Sequence, residues 1–162
     1  AMGNLQLHAE GEGYDFSQNT YNNTPAVAIS ADLTLEQDIA HHILGAGWRM
    51  PTKDQFGELC NTEYVDFVDA NGNVISGTDK RTTVNSVVGL RIRSKVNGNI
   101  LFIPAAGNYY DTLLKDKNSY GMYWSSSFAS VSNAYGLGFY VGGVLTQNNY
   151  GRRIGFTIRP IL

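Results

Sequence analysis

The chain has few of the residues that hold a fold together from outside its core. A single cysteine, Cys60, excludes an intramolecular disulfide framework. Charged residues are 16% of the sequence, against roughly 25% in ordinary globular domains. No apolar run approaches the roughly 18 residues that cross a bilayer as a helix, so membrane insertion is not expected. The formal net charge of -2 gives no electrostatic reason to expect a nucleic-acid partner. Residues 120–162 contain no Asp, Glu or Lys at all, so paired catalytic carboxylates or carboxylate metal ligands cannot come from that quarter.

What takes the place of charge is glycine (18 residues), asparagine (15) and tyrosine (10) in a chain of 162. That mixture disfavours a helical bundle and favours strands joined by turns. The length suits one domain, with enough core to fold without disulfide or metal. Five tyrosines (Tyr120, Tyr123, Tyr135, Tyr140, Tyr150) fall in the acid-free quarter, which carries +3 while the rest carries -5. Tyr, Ser, Gly and Asn together resemble the composition of a binding surface built from amphipathic contacts. A strand-rich half of one core is the plainer account of the same residues.

Ala1 and Met2 have the look of an expression remnant and a start residue, and residues 9–25 read as an irregular polar lead-in. Residues 1–25 are therefore set apart from a single domain at 26–162. Within it, 26–30 (AVAIS) reads as a first strand. Leu35, Ile39, His42 and Ile43 recur at helical spacing, with Thr34 and Gln37 as a capping box and Gly45 as a stop. After Trp48-Arg49-Met50-Pro51, Thr52 and Gln55 form a second capping box into a short helix ending near Cys60. Trp48 is expected to pack on the sheet and Arg49 to be tied to nearby backbone or carboxylate. From there strands dominate. Asn71-Gly72 and Asn97-Gly98 are hairpin dipeptides, and MYWSSS, NAYGLGFYVGG and RIGFTIRPIL are each rich in aromatic or β-branched residues. The class is α+β: two early helices, then antiparallel strands with long loops.

Chemistry-bearing motifs are scarce. Asp69-Ala70-Asn71-Gly72-Asn73 begins like a calcium loop, but Val74 stands where that loop needs glycine and Lys80 where it needs a bidentate Glu, so it reads as a turn. Adjacent His41 and His42 point about 100° apart on a helix and cannot chelate together. Cys60 has no basic neighbour in sequence to activate it and reads as a buried, inert thiol. No nucleophile elbow, phosphate loop or metal-spaced cluster is present. No catalytic residue, metal ligand or cofactor is assigned, and the chain is expected not to be an enzyme.

Five motifs nevertheless occur in order: Gly47-Trp48-Arg49-Met50-Pro51-Thr52, Pro104-Ala105-Ala106-Gly107, Tyr123-Trp124-Ser125-Ser126-Ser127, Ala134-Tyr135-x-Leu137-x-Phe139, and Arg152-x-x-Gly155-Phe156-x-Ile158-Arg159-Pro160. Together they resemble the bacterial C-type-lectin-like fold over about residues 30–162, and within it the variable proteins of diversity-generating retroelements. That resemblance implies a scaffold of Ala134, Tyr135, Leu137, Phe139, Gly142, Val144, Arg152, Gly155, Phe156, Ile158 and Arg159, with a variable region over about 128–154. The positions between would be rewritten through adenine mutagenesis of AAY codons. The ligand-binding residues it implies are Ser132, Asn133, Gly136, Gly138, Tyr140, Val141, Gly143, Leu145, Asn148, Asn149, Tyr150, Gly151, Arg153 and Ile154. None of them is Lys, Glu, Gln, Met or Trp, the types such mutagenesis cannot make. Tyr140 and Tyr150 are the expected anchors.

The resemblance implies a display protein that recognises a protein or cell-surface ligand, outside the cell, on an envelope or a virion tail fibre. The alternatives are an undiversified surface or adhesion module of the same fold, or a calcium-dependent sugar-binding lectin, for which residues 120–162 supply no carboxylate. A formylglycine-generating enzyme of that fold acts through a cysteine pair in its C-terminal part, whereas the only cysteine here lies early.

Overall fold

A computed structural model describes residues 13–15, 20–22, 30–110 and 113–162. The expected strand at 26–30 lies outside the described residues except for Ser30. The fold is α+β, with two short helices and otherwise antiparallel strand pairs. The lead-in expected to be irregular holds a hairpin, β1 (Gly13–Asp15) against β2 (Thr20–Asn22).

The first helix, α1 (Ile39–Leu44), is shorter than the apolar spacing suggests. Thr34 and Gln37 do pair, the Gln37 side chain accepting from Thr34 N at 3.0 Å, but they close a turn that precedes the helix. The true N-cap is the buried Asp38, whose Oδ1 accepts from Ala40 N and His41 N. Gly45 stops the helix at φ 86°. The expected apolar stripe is corrected: Ile43 is 72% and Leu35 55% exposed, and Ala40 alone of α1 is buried. Ala40 packs with Met50, Trp124, Ala134 and Phe156, and Ile39 only partly joins them.

The second helix, α2 (Lys53–Leu59), starts from the expected capping box, with Gln55 N donating to Thr52 Oγ1 and Thr52 N to Gln55 Oε1. Trp48 is half-buried. Arg49 donates to Gln55 Oε1 at 2.8 Å and its backbone bridges Ile161.

Next come β3 (Val65–Phe67), β4 (Arg81–Val84), β5 (Val87–Ser94) and β6 (Ile100–Pro104). One edge of β5 pairs with β4 through Val87–Leu90 and with β3 through Ile92–Ser94, and β6 takes the other edge. Asn97-Gly98 makes the β5–β6 turn with Gly98 at φ 74°, as expected. Asp69 is a turn residue, its carboxylate accepting from the Asn73 side chain, Asn73 N and Asn71 N, which holds its pKa below the ordinary value.

A small hairpin, β7 (Asn108–Tyr110) with β8 (Leu113–Lys115), leads into a three-stranded sheet. Its strands are β9 (Gly121–Phe128), β10 (Asn133–Tyr140) and β11 (Gly143–Gly151), with β10 central. The expected strand in RIGFTIRPIL is corrected: residues 152–162 form no ladder and touch the fold through isolated bridges, Tyr109 with Gly155 and Tyr123 with Thr157. The third strand comes instead from GVLTQNNYG, a polar stretch with no strand signature.

Two cores lie on the two sides of this sheet. Tyr123, Leu137 and Phe139 pack with Phe56 of α2 and with Leu90, Ile92 and Ile103 of the larger sheet. Trp124 and Ala134 pack with Phe156, Met50 and Ala40, the Trp124 and Phe156 rings stacked 4.3 Å apart.

Candidate functional site: one face of the C-terminal sheet

Alternation along β10 sends successive side chains to opposite faces. Leu137 and Phe139 go to the α2 side and are buried. Tyr135 reaches only the rim of that side, half-exposed, with the Lys53 ammonium 4.7 Å from its ring centroid. Gly136, Gly138 and Tyr140 share the other face. Opposite them the ladder sets Trp124 and Met122 on β9, and Asn148 and Leu145 on β11.

Each ladder of β10 carries a register shift, near Ala134–Gly136 toward β9 and near Gly136–Gly138 toward β11. Ser125 spans the first irregularity by donating to Tyr135 O at 2.7 Å. The shifts bend the strand where its side chains vanish. A Cβ on Gly136 would meet Tyr123 O at 2.7 Å, and one on Gly138 would overlap the Tyr150 hydroxyl. The two glycines therefore form a trough, and the Tyr150 ring lies in it.

Tyr150 also meets Phe156 and Trp124 edge-on, with centroids 5.1 and 6.5 Å away. Burial raises its phenol pKa above the ordinary value, against a hydrogen bond with the Asn148 side chain that lowers it. Tyr140 stacks on Tyr120 at 5.2 Å with the planes 4° apart, and both rings are half-exposed. Beyond the edge of β11, exposed Arg153 donates to Tyr110 Oη at 3.3 Å, and Lys115 Nζ stands 4.8 Å from the same ring centroid. Neither cation meets a carboxylate among the described residues.

Of the sequence-selected positions, this arrangement gathers Gly136, Gly138, Tyr140, Leu145, Asn148 and Tyr150 on one face, with Ile154 packed partly into the core beneath and Arg153 at the margin. Gly136, Gly138 and Gly143 are buried, so they shape the face without offering it a contact. Val141 sits exposed in the β10–β11 turn. Ser132, Asn133 and Gly151 cluster at the opposite end of the strands. Asn149 pairs with Tyr135 and accepts from Asn133 Nδ2 at 2.9 Å, which turns it to the α2 side. Arg152 is buried, donating to Val131 O and fixing the β9–β10 loop.

Three contributors were missed: Tyr120, Met122 and Tyr110. Met122 was within reach, since it shares strand parity with Trp124. Tyr120 and Tyr110 depend on registers that sequence spacing does not carry. Among the described residues no three His, Cys, Asp or Glu side chains gather where a metal ion would sit, and no helix is long and apolar enough to cross a membrane. Compared with known proteins, the chain matches no family model, no curated protein and no solved structure.

Proposed function

We propose that this protein is a ligand-binding display module with a C-type-lectin-like fold, of the kind carried by diversity-generating retroelements. The residues of its C-terminal sheet that reach the surface beside the second core recognise a protein or cell-surface ligand outside the cell, and it is not an enzyme. The observation that carries the reading is a division between neighbours in sequence. Ala134, Leu137, Phe139, Arg152 and Phe156 are buried, while the interleaved Tyr140, Leu145, Asn148 and Arg153 reach the surface around a glycine trough. Tyrosines with an arginine are the side chains that dominate binding hot spots. The absence of acids from residues 120–162 suits a partner of negative or neutral surface.

The packing narrows the reading. Gly136 and Gly138 have no room for a side chain, whereas Tyr140, Val141, Leu145, Asn148 and Arg153 reach the surface and can be exchanged without loss of fold. A surface-display library randomised at those five positions should stay folded and yield binders on panning. One randomised at Leu137, Phe139 and Phe156 should not fold. Equal loss of folded protein from both libraries would remove the reading. A template repeat and reverse transcriptase beside the gene would separate a diversified protein from an undiversified adhesion module.

A further inference from the structure

On another part of the surface lies a cleft of about 420 Å³, between the β4–β5 turn, the segment Pro104–Gly107, the β7–β8 hairpin and Gly155–Thr157. Its volume falls in the range of small-molecule sites, and its lining is mostly apolar. Val87, Pro104 and Leu114 supply apolar wall; Ser86, Lys117 and Asn118 are exposed and stand at its mouth.

The β4–β5 turn is unusual for this chain. Both of its central residues have positive φ, Asn85 at 48° and Ser86 at 66°. A hairpin turn with two such residues favours Asn-Gly, whose glycine adopts positive φ at no steric cost, as Gly72 and Gly98 do elsewhere in this chain. Here the second position carries a side chain that disfavours the conformation, and its hydroxyl makes no hydrogen bond among the described residues. Across the mouth, Asn118 also holds a positive φ, 63°, and Lys117 makes no ion pair among the described residues. Asp116 does not line the cleft and accepts from Asn108 Nδ2 instead. Strained backbone of this kind concentrates where a binding function requires it.

We infer that the cleft binds a small organic acid, its apolar body against Val87, Pro104 and Leu114 and its carboxylate held by the Lys117 ammonium and the Ser86 hydroxyl. The inference does not rest on the display reading, because the cleft includes none of the exposed residues of the sheet face.

The test is an NMR titration of the intact chain with phenylacetate, phenylacetamide and acetate. Phenylacetate should saturate, moving amides of 104–107, 114–118 and 155–157. The neutral amide and the bare anion should each bind about tenfold more weakly or not at all, since a charge-assisted hydrogen bond and an apolar contact are both needed. Lys117→Gln should cost about tenfold in phenylacetate affinity and leave phenylacetamide unchanged. Ser86→Gly should raise the thermal midpoint while weakening phenylacetate, a combination that a merely structural turn would not give. Tyr140→Ser and Arg153→Ser should bind phenylacetate as the parent does, whatever they do to display. The inference is overturned by phenylacetamide binding as tightly as phenylacetate, by shifts that map elsewhere, by no saturation with any of the three, or by Ser86→Gly keeping full affinity.

Discussion

Tyr150 lies across Gly138, its hydroxyl where a β-carbon on that glycine would stand. The ring, carried by the partner of Ala134, can reach along the strand to that place only because Gly138 has no side chain. Gly138→Ala should therefore cost about 1 to 3 kcal/mol in chemical denaturation, the range for overpacking a filled site. Adding Tyr150→Phe, which removes the hydroxyl, should recover part of that loss. Purely additive effects in the double-mutant cycle would show that the ring can move aside.

Tyr140 and Tyr150 should behave differently although both were expected to be anchors. Tyr140→Ser together with Arg153→Ser should change stability by less than about 1 kcal/mol, as exposed positions do, and abolish binding to any partner found by panning. Tyr150→Ala should cost about 3 kcal/mol, because its ring packs on Phe156 and Trp124.

Asp38 joins the first helix to the Trp48–Thr52 corner. Its Oδ1 caps α1 and its Oδ2 accepts from Met50 N at 2.7 Å. Asp38→Ala removes both partners from a buried place and should cost about 2 to 4 kcal/mol. Asp38→Asn keeps one acceptor oxygen and should cost less. Equal losses, read by denaturation, would contradict the double role.

Burial pushes the Cys60 thiol from its ordinary 9.0 up to about 12. The native chain should resist iodoacetamide at pH 8 and react only once unfolded, as mass spectrometry would show. The sign of the linkage follows. The thiol is neutral in both states below pH 9, and above it the unfolded state loses its proton first, so stability falls as pH rises from about 9 toward 12. Cys60→Ala should flatten that part of the profile.

Local signals in the sequence were legible where a residue's own backbone decides the outcome. The Thr52–Gln55 box and the Asn97-Gly98 turn appear as read, since each is set within four residues. What depends on distant partners was not legible. Ile43 and Leu44 are exposed because none of the described residues packs over them, while Ala40 is buried against Trp124 and Phe156, partners that the periodicity of α1 cannot reveal. GVLTQNNYG becomes a strand because it follows β10 through a tight turn and pairs along its edge, whereas RIGFTIRPIL meets the outer edge of β9 only through the bridge of Tyr123 with Thr157. In the candidate site, the shared parity of Gly136, Gly138 and Tyr140 was readable from β10 alone. The trough filled by Tyr150 and the stack of Tyr120 on Tyr140 were not, since both come from pairing across strands.

The bridge between Arg49 and Ile161 has a bearing on how the chain is made. The corner at Trp48–Thr52 emerges early from the ribosome, yet its neighbours Trp124, Phe156 and Ile161 are all translated late. Until then Met50 has no aromatic partner to cover it. Closure over so long a loop is slow, and the first helices must wait, incompletely packed, for most of the chain. Any route that moves this protein between compartments in an extended form thus has a natural interval in which to act, before the last strand and the segment behind it lock the early half in place.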